Sequence, residues 1–200
     1  GNLNIIEQTN YISKELENEE IKTKIQNSLK KIMADFSVQA HFGKIWQKNI
    51  LSNIKLYQIR NLTIPNIPNN KRAVILAAGP SLDNYLKKLK SKRSEYFIIS
   101  TDTAFSSCIS YNFKPDAVVS IDGQHISCNH YLHNISNNTL FIFDLCGNPS
   151  AARKTFKYSD KILFSQTGHP FSKFYSETNK LNFINLFSGS GTVTIAAVDF

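Results

Sequence analysis

The sequence predicts an α/β fold: a doubly wound, mostly parallel sheet preceded by an amino-terminal helical pair. Two observations carry the prediction. Apolar residues recur every three and four positions through the first 65 residues, the period of one helical face, and from Ala73 onward they regroup into short β-rich runs separated by helix-length intervals. Those runs are nearly continuous rather than alternating, which is the pattern of parallel strands buried on both faces.

The first helix is predicted over 10–36, where Ile21, Ile25, Leu29, Ile32, Met33 and Phe36 mark one face and Glu15, Glu17, Glu19 and Glu20 crowd the early turns, as a helix dipole favours. A second helical pattern follows in Phe42, Ile45, Trp46, Ile50, Ile54 and Tyr57. Pro65 and Pro68, with Asn66, Asn69 and Asn70, then make a breaker-rich linker, so residues 1–65 are expected to be a helical segment and 66–200 a nucleotide-binding domain. Strands are predicted at AVILAA (73–78), YFIIS (96–100), DAVVSI (116–121), TLFIFDL (139–145), KILFS (161–165) and NFINLF (182–187). Helices are expected over 82–90, 103–111, 125–133 and 170–176, which completes a Rossmann-like alternation. Residues 191–200 read as a helix that has just begun and stops on Phe200 without Gly, Asn or Pro to close it, so truncation at the carboxyl end is expected.

Composition narrows the function classes. With 42% hydrophobic residues in 200, the chain can build one ordinary core. Its longest apolar run, six residues from Ala73, is far short of a membrane span, and no basic flank leads into an apolar leader, so a cytoplasmic protein is expected. Cys108, Cys128 and Cys146 form no CxxC pair and read as reduced thiols. The net charge of +8 is spread along the chain. Its densest cluster, Lys87, Lys88, Lys90, Lys92 and Arg93, falls on a predicted helix face without interleaved aromatics, so small anions rather than nucleic acid are the expected partners.

Ligands of an open parallel sheet bind outside the carboxyl ends of its strands. The residues that follow the six runs are Gly79-Pro80-Ser81, Thr101-Asp102-Thr103, Asp122-Gly123-Gln124, Cys146-Gly147-Asn148, Thr167-Gly168-His169 and Ser188-Gly189-Ser190-Gly191-Thr192, all small or polar. Gly79 lets a backbone approach a ligand, Pro80 suits a helix start, and Ser81 offers either a phosphate contact or an ordinary helix cap. The loop of Gly189, Ser190, Gly191 and Thr192 is a second anion cradle, although neither loop is a Walker A or GxGxxG motif. Asp102 and Asp122 lie past adjacent strands, where a carboxylate pair could hold Mg²⁺ or a ribose, or cap the next helix; Thr103 and Gln124 adjoin them. His125, Cys128, His130 and His133 match no zinc spacing. His169 stands where a neutral imidazole could act as a general base toward an acceptor hydroxyl.

The combination Ala77-Ala78-Gly79-Pro80-Ser81-Leu82-Asp83, Ser100-Thr101-Asp102-Thr103-Ala104, Lys114-Pro115-Asp116, Val119-Ser120-Ile121-Asp122 and Gly189-Ser190-Gly191-Thr192-Val193 resembles the MptE-like domain family over about residues 73–200. That family holds the bacterial motility accessory factor (Maf) glycosyltransferases and the archaeal 6-hydroxymethylpterin diphosphokinases. Phe42-Gly43 with Trp46, Asn49 and Asn53 also resembles the helical lead-in of bacterial members. The Maf resemblance implies transfer of a nonulosonic sugar from a CMP-linked donor to a protein hydroxyl such as that of flagellin. The pterin branch implies ATP, Mg²⁺ and diphosphate transfer to a pterin alcohol. On either branch Gly79, Pro80, Ser81, Asp102, Asp122 and the 189–192 loop are implied nucleotide contacts. The resemblance does not extend to His169, which its place in a rim loop makes a catalytic candidate beside Asp122; a non-catalytic nucleotide- or partner-binding module is the remaining alternative.

Overall fold

The computed structural model describes residues 19–59, 70–131, 135 and 137–186. Its contacts divide the chain into two compact units, Gly1–Lys44 and Ile45–Phe200. The two helical patterns are both helical, but no break separates them: they run on as one helix, α1 (Glu19–Ile59). The stretch between them contains no proline, and Gly43 alone costs only about 1 kcal/mol relative to alanine, too little to end a helix this long. In the first unit the helix carries a Lys24–Glu20 ion pair at 2.7 Å. No described helix is long and apolar enough to cross a membrane.

In the second unit the strands are β1 (Arg72–Leu76), β2 (Tyr96–Thr101), β3 (Ala117–Ser120), β4 (Leu140–Asp144), β5 (Ile162–Gln166) and β6 (Ile184–Asn185). Between them run α2 (Leu82–Ser91), α3 (Asp102–Ser110), a 3-10 helix at His125–Tyr131, α4 (Pro149–Thr155) and α5 (Pro170–Thr178). Each predicted strand is present. The 125–133 helix is 3-10 over its described part, and α4 was not anticipated. All neighbouring strands pair in parallel, which makes the sheet α/β and Rossmann-like as predicted. The described strands lie in the sequential order β1-β2-β3-β4-β5-β6, with no reversal among them.

Register explains the continuous apolar runs. Val118 sits beside Phe141 and Phe141 beside Ile162 on one face, while Val119, Ile142 and Leu163 align on the other. The first face meets the helices: Phe141 and Phe143 pack with Ile50 and Ile54 of α1, Phe105 of α3, Tyr131, and Ala151 and Ala152 of α4. Phe105 meets Phe141 edge-on at 5.6 Å, a favoured aromatic geometry. The second face forms a cluster of Ile99, Ala117, Val119, Leu140, Ile142, Leu163 and Leu186, to which no described helix contributes. Leu82 and Leu86 turn inward from α2 while Lys87, Lys88 and Lys90 stay exposed, the solvated face expected of that basic cluster.

Candidate functional site at the carboxyl ends of the strands

The loop after β1 is held by Gly79 N donating to Ala77 O at 2.9 Å and Leu82 N donating to Gly79 O at 3.0 Å. Ser81 occupies the N-cap position of α2, yet its side chain makes no capping bond and is exposed. The hydroxyl therefore stands beside the positive end of a helix without being used by it, an arrangement suited to an anion.

After β2 the cap is Thr101, whose Oγ1 accepts Ala104 N at 3.3 Å and lies 3.2 Å from the hydroxyl of exposed Thr103. Asp102, one of the residues expected to cap or to face a ligand, is instead 2% exposed and turned inward. Its Oδ2 accepts from Ser120 Oγ at 2.9 Å and its Oδ1 from Thr103 N at 2.8 Å. Burial pushes its carboxyl above the ordinary range, with those two hydrogen bonds and His130 opposing and Asp122 adding a smaller upward push. Beside them the hydroxyl of Tyr131 is fully buried, has no partner in hydrogen-bond geometry among the described residues, and has its own titration pushed well up by burial and by the Asp102 charge.

Asp122, after β3, is half-buried and closes a turn by accepting Gln124 N at 2.9 Å through Oδ1; its backbone carbonyl accepts Asn148 N at 2.9 Å. No described residue bonds its other carboxylate oxygen. Asn148, after β4, caps α4 by accepting Ser150 N at 2.8 Å and donates to Gln124 O at 2.9 Å and His125 O at 3.0 Å. The loops after β3 and β4 are thus one bonded unit. Exposed Gln124 offers its side chain on that unit.

Helix α1 fastens both loops from beneath. Asn49 Nδ2 donates to Gly123 O and Cys146 O, each at 3.0 Å, and Asn53 Nδ2 donates to Leu145 O at 3.0 Å, Gly147 O at 2.9 Å and Asp144 O at 3.4 Å. Gly123 has to be glycine here, because a Cβ would lie 2.8 Å from Cys146 O and 3.1 Å from the Trp46 ring. Gly123→Ala is accordingly expected to cost about 1–3 kcal/mol in overpacking. An unchanged thermal midpoint would show that the loop yields instead.

His169 caps α5: its Nδ1 accepts Phe171 N at 3.2 Å, which assigns the proton of the neutral imidazole to Nε2. Its ring meets Trp46 edge-on at 6.2 Å, and burial lowers its pKa. With strands about 4.8 Å apart, His169 after β5 stands about 19 Å across the rim from Ser81 after β1, so the two would touch different parts of an extended ligand. The described loops at this rim contain no Lys or Arg, and a phosphate there would be held by amides, hydroxyls and a helix end. No group of three or more His, Cys, Asp or Glu that could hold a metal ion occurs among the described residues. His133 and the loop of Gly189, Ser190, Gly191 and Thr192 lie outside the described residues.

Residues 45–200 match the family described as 6-hydroxymethylpterin diphosphokinase MptE-like. The chain belongs to the MptE-like family. Two uncharacterized proteins of Treponema pallidum (strain Nichols) are similar to it, one 46% identical over 106 residues and the other 34% identical over 68. Those matches take in 52% and 34% of this chain but only 50% and 24% of the relatives, so the MptE-like chain spans half or less of the proteins it matches. Among solved structures, the Maf glycosyltransferase from Magnetospirillum magneticum AMB-1 resembles it with a TM-score of 0.53 at 15% identity, over 86% of this chain and 29% of that one. The likeness shows a shared fold.

This MptE-like rim contains a carboxylate that the sequence reading passed over. Asp144 ends β4, is fully buried, and accepts Cys146 N at 2.8 Å and Ser165 Oγ at 3.5 Å. Burial raises its pKa from an ordinary 3.8 to about 6 against those bonds and one from Thr167. Its place inside an apolar run, LFIFDL, was the available signal: a carboxylate within a buried strand needs a local reason to be there. Asn148 was legible too, since Asn followed by Pro149 is a helix-start pattern.

Proposed function

We propose that this chain is the nucleotide-binding part of a Maf-type transferase that takes a nonulosonic sugar from a CMP-linked donor to a protein hydroxyl, flagellin being a candidate acceptor. The observation that carries the reading is the exposed Gly79-Pro80-Ser81 loop, whose hydroxyl stands unused at the start of α2. In this reading Gly79, Pro80 and Ser81 receive the donor phosphate, and Asp122 and Gln124 take ribose or acceptor hydroxyls through the free carboxylate oxygen and the exposed carboxamide. Thr103 lines the same edge, and Asp102 supports it from within by fixing Thr103 N and Ser120. The bond from Phe171 N occupies His169 Nδ1, so His169 enters through Nε2–H as a donor; acting as a base would require it to release that cap. Family membership and the fold shared with a Maf enzyme support the reading.

The second reading, ATP- and Mg²⁺-dependent diphosphate transfer, draws on the family description itself. It would use two rim carboxylates for the metal. Asp102 and Asp144 are buried and each has both oxygens bonded internally, which leaves Asp122 alone and favours the sugar-transfer reading.

Calorimetry with CMP, CTP, GDP, and ATP with and without Mg²⁺ separates the two. CMP or CTP is expected to bind, with Ser81→Ala and Asp122→Asn each losing about 1–3 kcal/mol of affinity at an unchanged thermal midpoint, as for one hydrogen bond to a charged group. Preference for ATP with Mg²⁺ would establish the second reading. A folded protein that binds none of them would overturn both.

A further inference from the structure

We propose that a cleft at the opposite end of the sheet is a second ligand site, taking a small molecule that carries two or more phosphoryl charges. The cleft, of about 710 Å³, opens at the amino ends of β1 to β4 and is lined by Lys71, Lys90, Arg93, Lys114, Asp116 and Thr139 among others. A hollow of that size suits a small molecule rather than a protein surface or a duplex.

Its charge is unbalanced. Asp116 is the one carboxylate in the lining, and it is already committed: Oδ2 accepts Ile98 N at 2.7 Å and pairs with Arg93 Nη2 at 2.8 Å. Arg93 is committed in turn, donating to Tyr96 O at 3.1 Å and Lys114 O at 3.0 Å and lying 5.6 Å over the ring of Phe113. Arg93 and Asp116 cancel and build the wall. That leaves the ammonium groups of Lys71, Lys90 and Lys114 with no acid in the lining to answer them.

A helix carboxyl end attracts cations, and that accounts for part of the set: Lys90 lies in the last turn of α2, with Nζ 3.5 Å from Tyr111 O. It does not account for Lys71, which precedes β1, or for Lys114, which precedes β3. The crossovers bring these two together from positions 43 residues apart, and neither ammonium group makes an ion pair or hydrogen bond among the described residues. Phe113 is only 3% exposed, so no aromatic face is presented for base stacking. Compact, multiply charged phosphoryl groups are the complement of such a site, and pyrophosphate is the simplest probe.

The test is an amide NMR titration of the 200-residue chain with inorganic pyrophosphate, and with sulfate at matched ionic strength near 0.15 M, where surface attraction is screened beyond about 8 Å. Saturable shifts are expected at Lys71, Asn112 to Lys114, Asp116 and Thr139, with pyrophosphate bound at least about tenfold more tightly than sulfate. Lys71→Glu with Lys114→Glu should abolish them and leave shifts at residues 79–81 and 122–124 unchanged; Lys71→Gln with Lys114→Gln serves if the charge-reversed pair does not fold. Shifts confined to the 79–81 loop, equal binding of sulfate, or no effect of either pair of substitutions would overturn the proposal. Shifts at the 79–81 loop would report phosphate at the opposite rim and not in this cleft; nucleotide binding at that rim is read separately by the calorimetry.

Discussion

Asn53→Asp is expected to lower the stability of the α/β unit by about 3–5 kcal/mol, the cost of leaving a buried charge without a partner. The native carboxamide is fully buried and points its NH₂ at the carbonyls of Asp144, Leu145 and Gly147. None of these oxygens can donate, so a carboxylate in the same place meets three like dipoles. Asn53→Ala removes the repulsion but takes the carboxamide donor from Leu145 O and Gly147 O, while Asp144 O keeps its bond from Gly147 N, at about 1–3 kcal/mol for each carbonyl left unpaired where water cannot reach. Urea unfolding followed by far-ultraviolet circular dichroism measures both variants. A loss below about 1 kcal/mol for Asn53→Asp would mean that α1 does not hold the loops after β3 and β4 as described.

Asp144→Asn should change how stability depends on pH, through the opposite sign from an ordinary salt-bridged aspartate. Because burial raises the folded pKa to about 6 from 3.8, the folded state keeps a proton that the unfolded chain has already lost between those values. Stability from this residue is therefore fully present below about pH 4, falls as pH rises toward 6, and is flat above. The loss amounts to about 3 kcal/mol. Asparagine can still accept Cys146 N and bond Ser165 Oγ without a charge, so the variant is expected to lack that descending limb and to be more stable than the parent at pH 7. Thermal midpoints of the two proteins from pH 3.5 to 8 decide it. Parallel curves would show that Asp144 remains ionised in the folded state across the range.

The strands were legible because burial on both faces leaves a run such as LFIF with no polar interruption, and the ends of all six fall within two residues of the predicted bounds. The strand order was not legible. An alternation of strands and helices states that crossovers occur, but the side on which each new strand adds is decided by packing, and no residue of the runs reports it. Helix α4 escaped because its seven residues, dominated by Ala151, Ala152, Arg153 and Lys154, show too little apolar periodicity to stand out. Thr101 and Asp102 are both good caps and adjacent, so only the fold could show that threonine caps α3 and aspartate turns inward. The carboxamides of Asn49 and Asn53 have partners 74 to 97 residues away, a distance over which no local pattern carries information.

That separation also has a meaning in time. During synthesis Asn49 and Asn53 leave the ribosome before Gly123 and Cys146 have been made, and at about 5–20 residues per second they wait roughly 4–20 s for their acceptors. Over most of that interval Trp46, Ile50, Ile54 and Tyr57 lack the strands they lie against, since β4 is made only at its end and β5 after it. The nascent chain therefore exposes the apolar face of this part of α1 until the strands it packs against have been made.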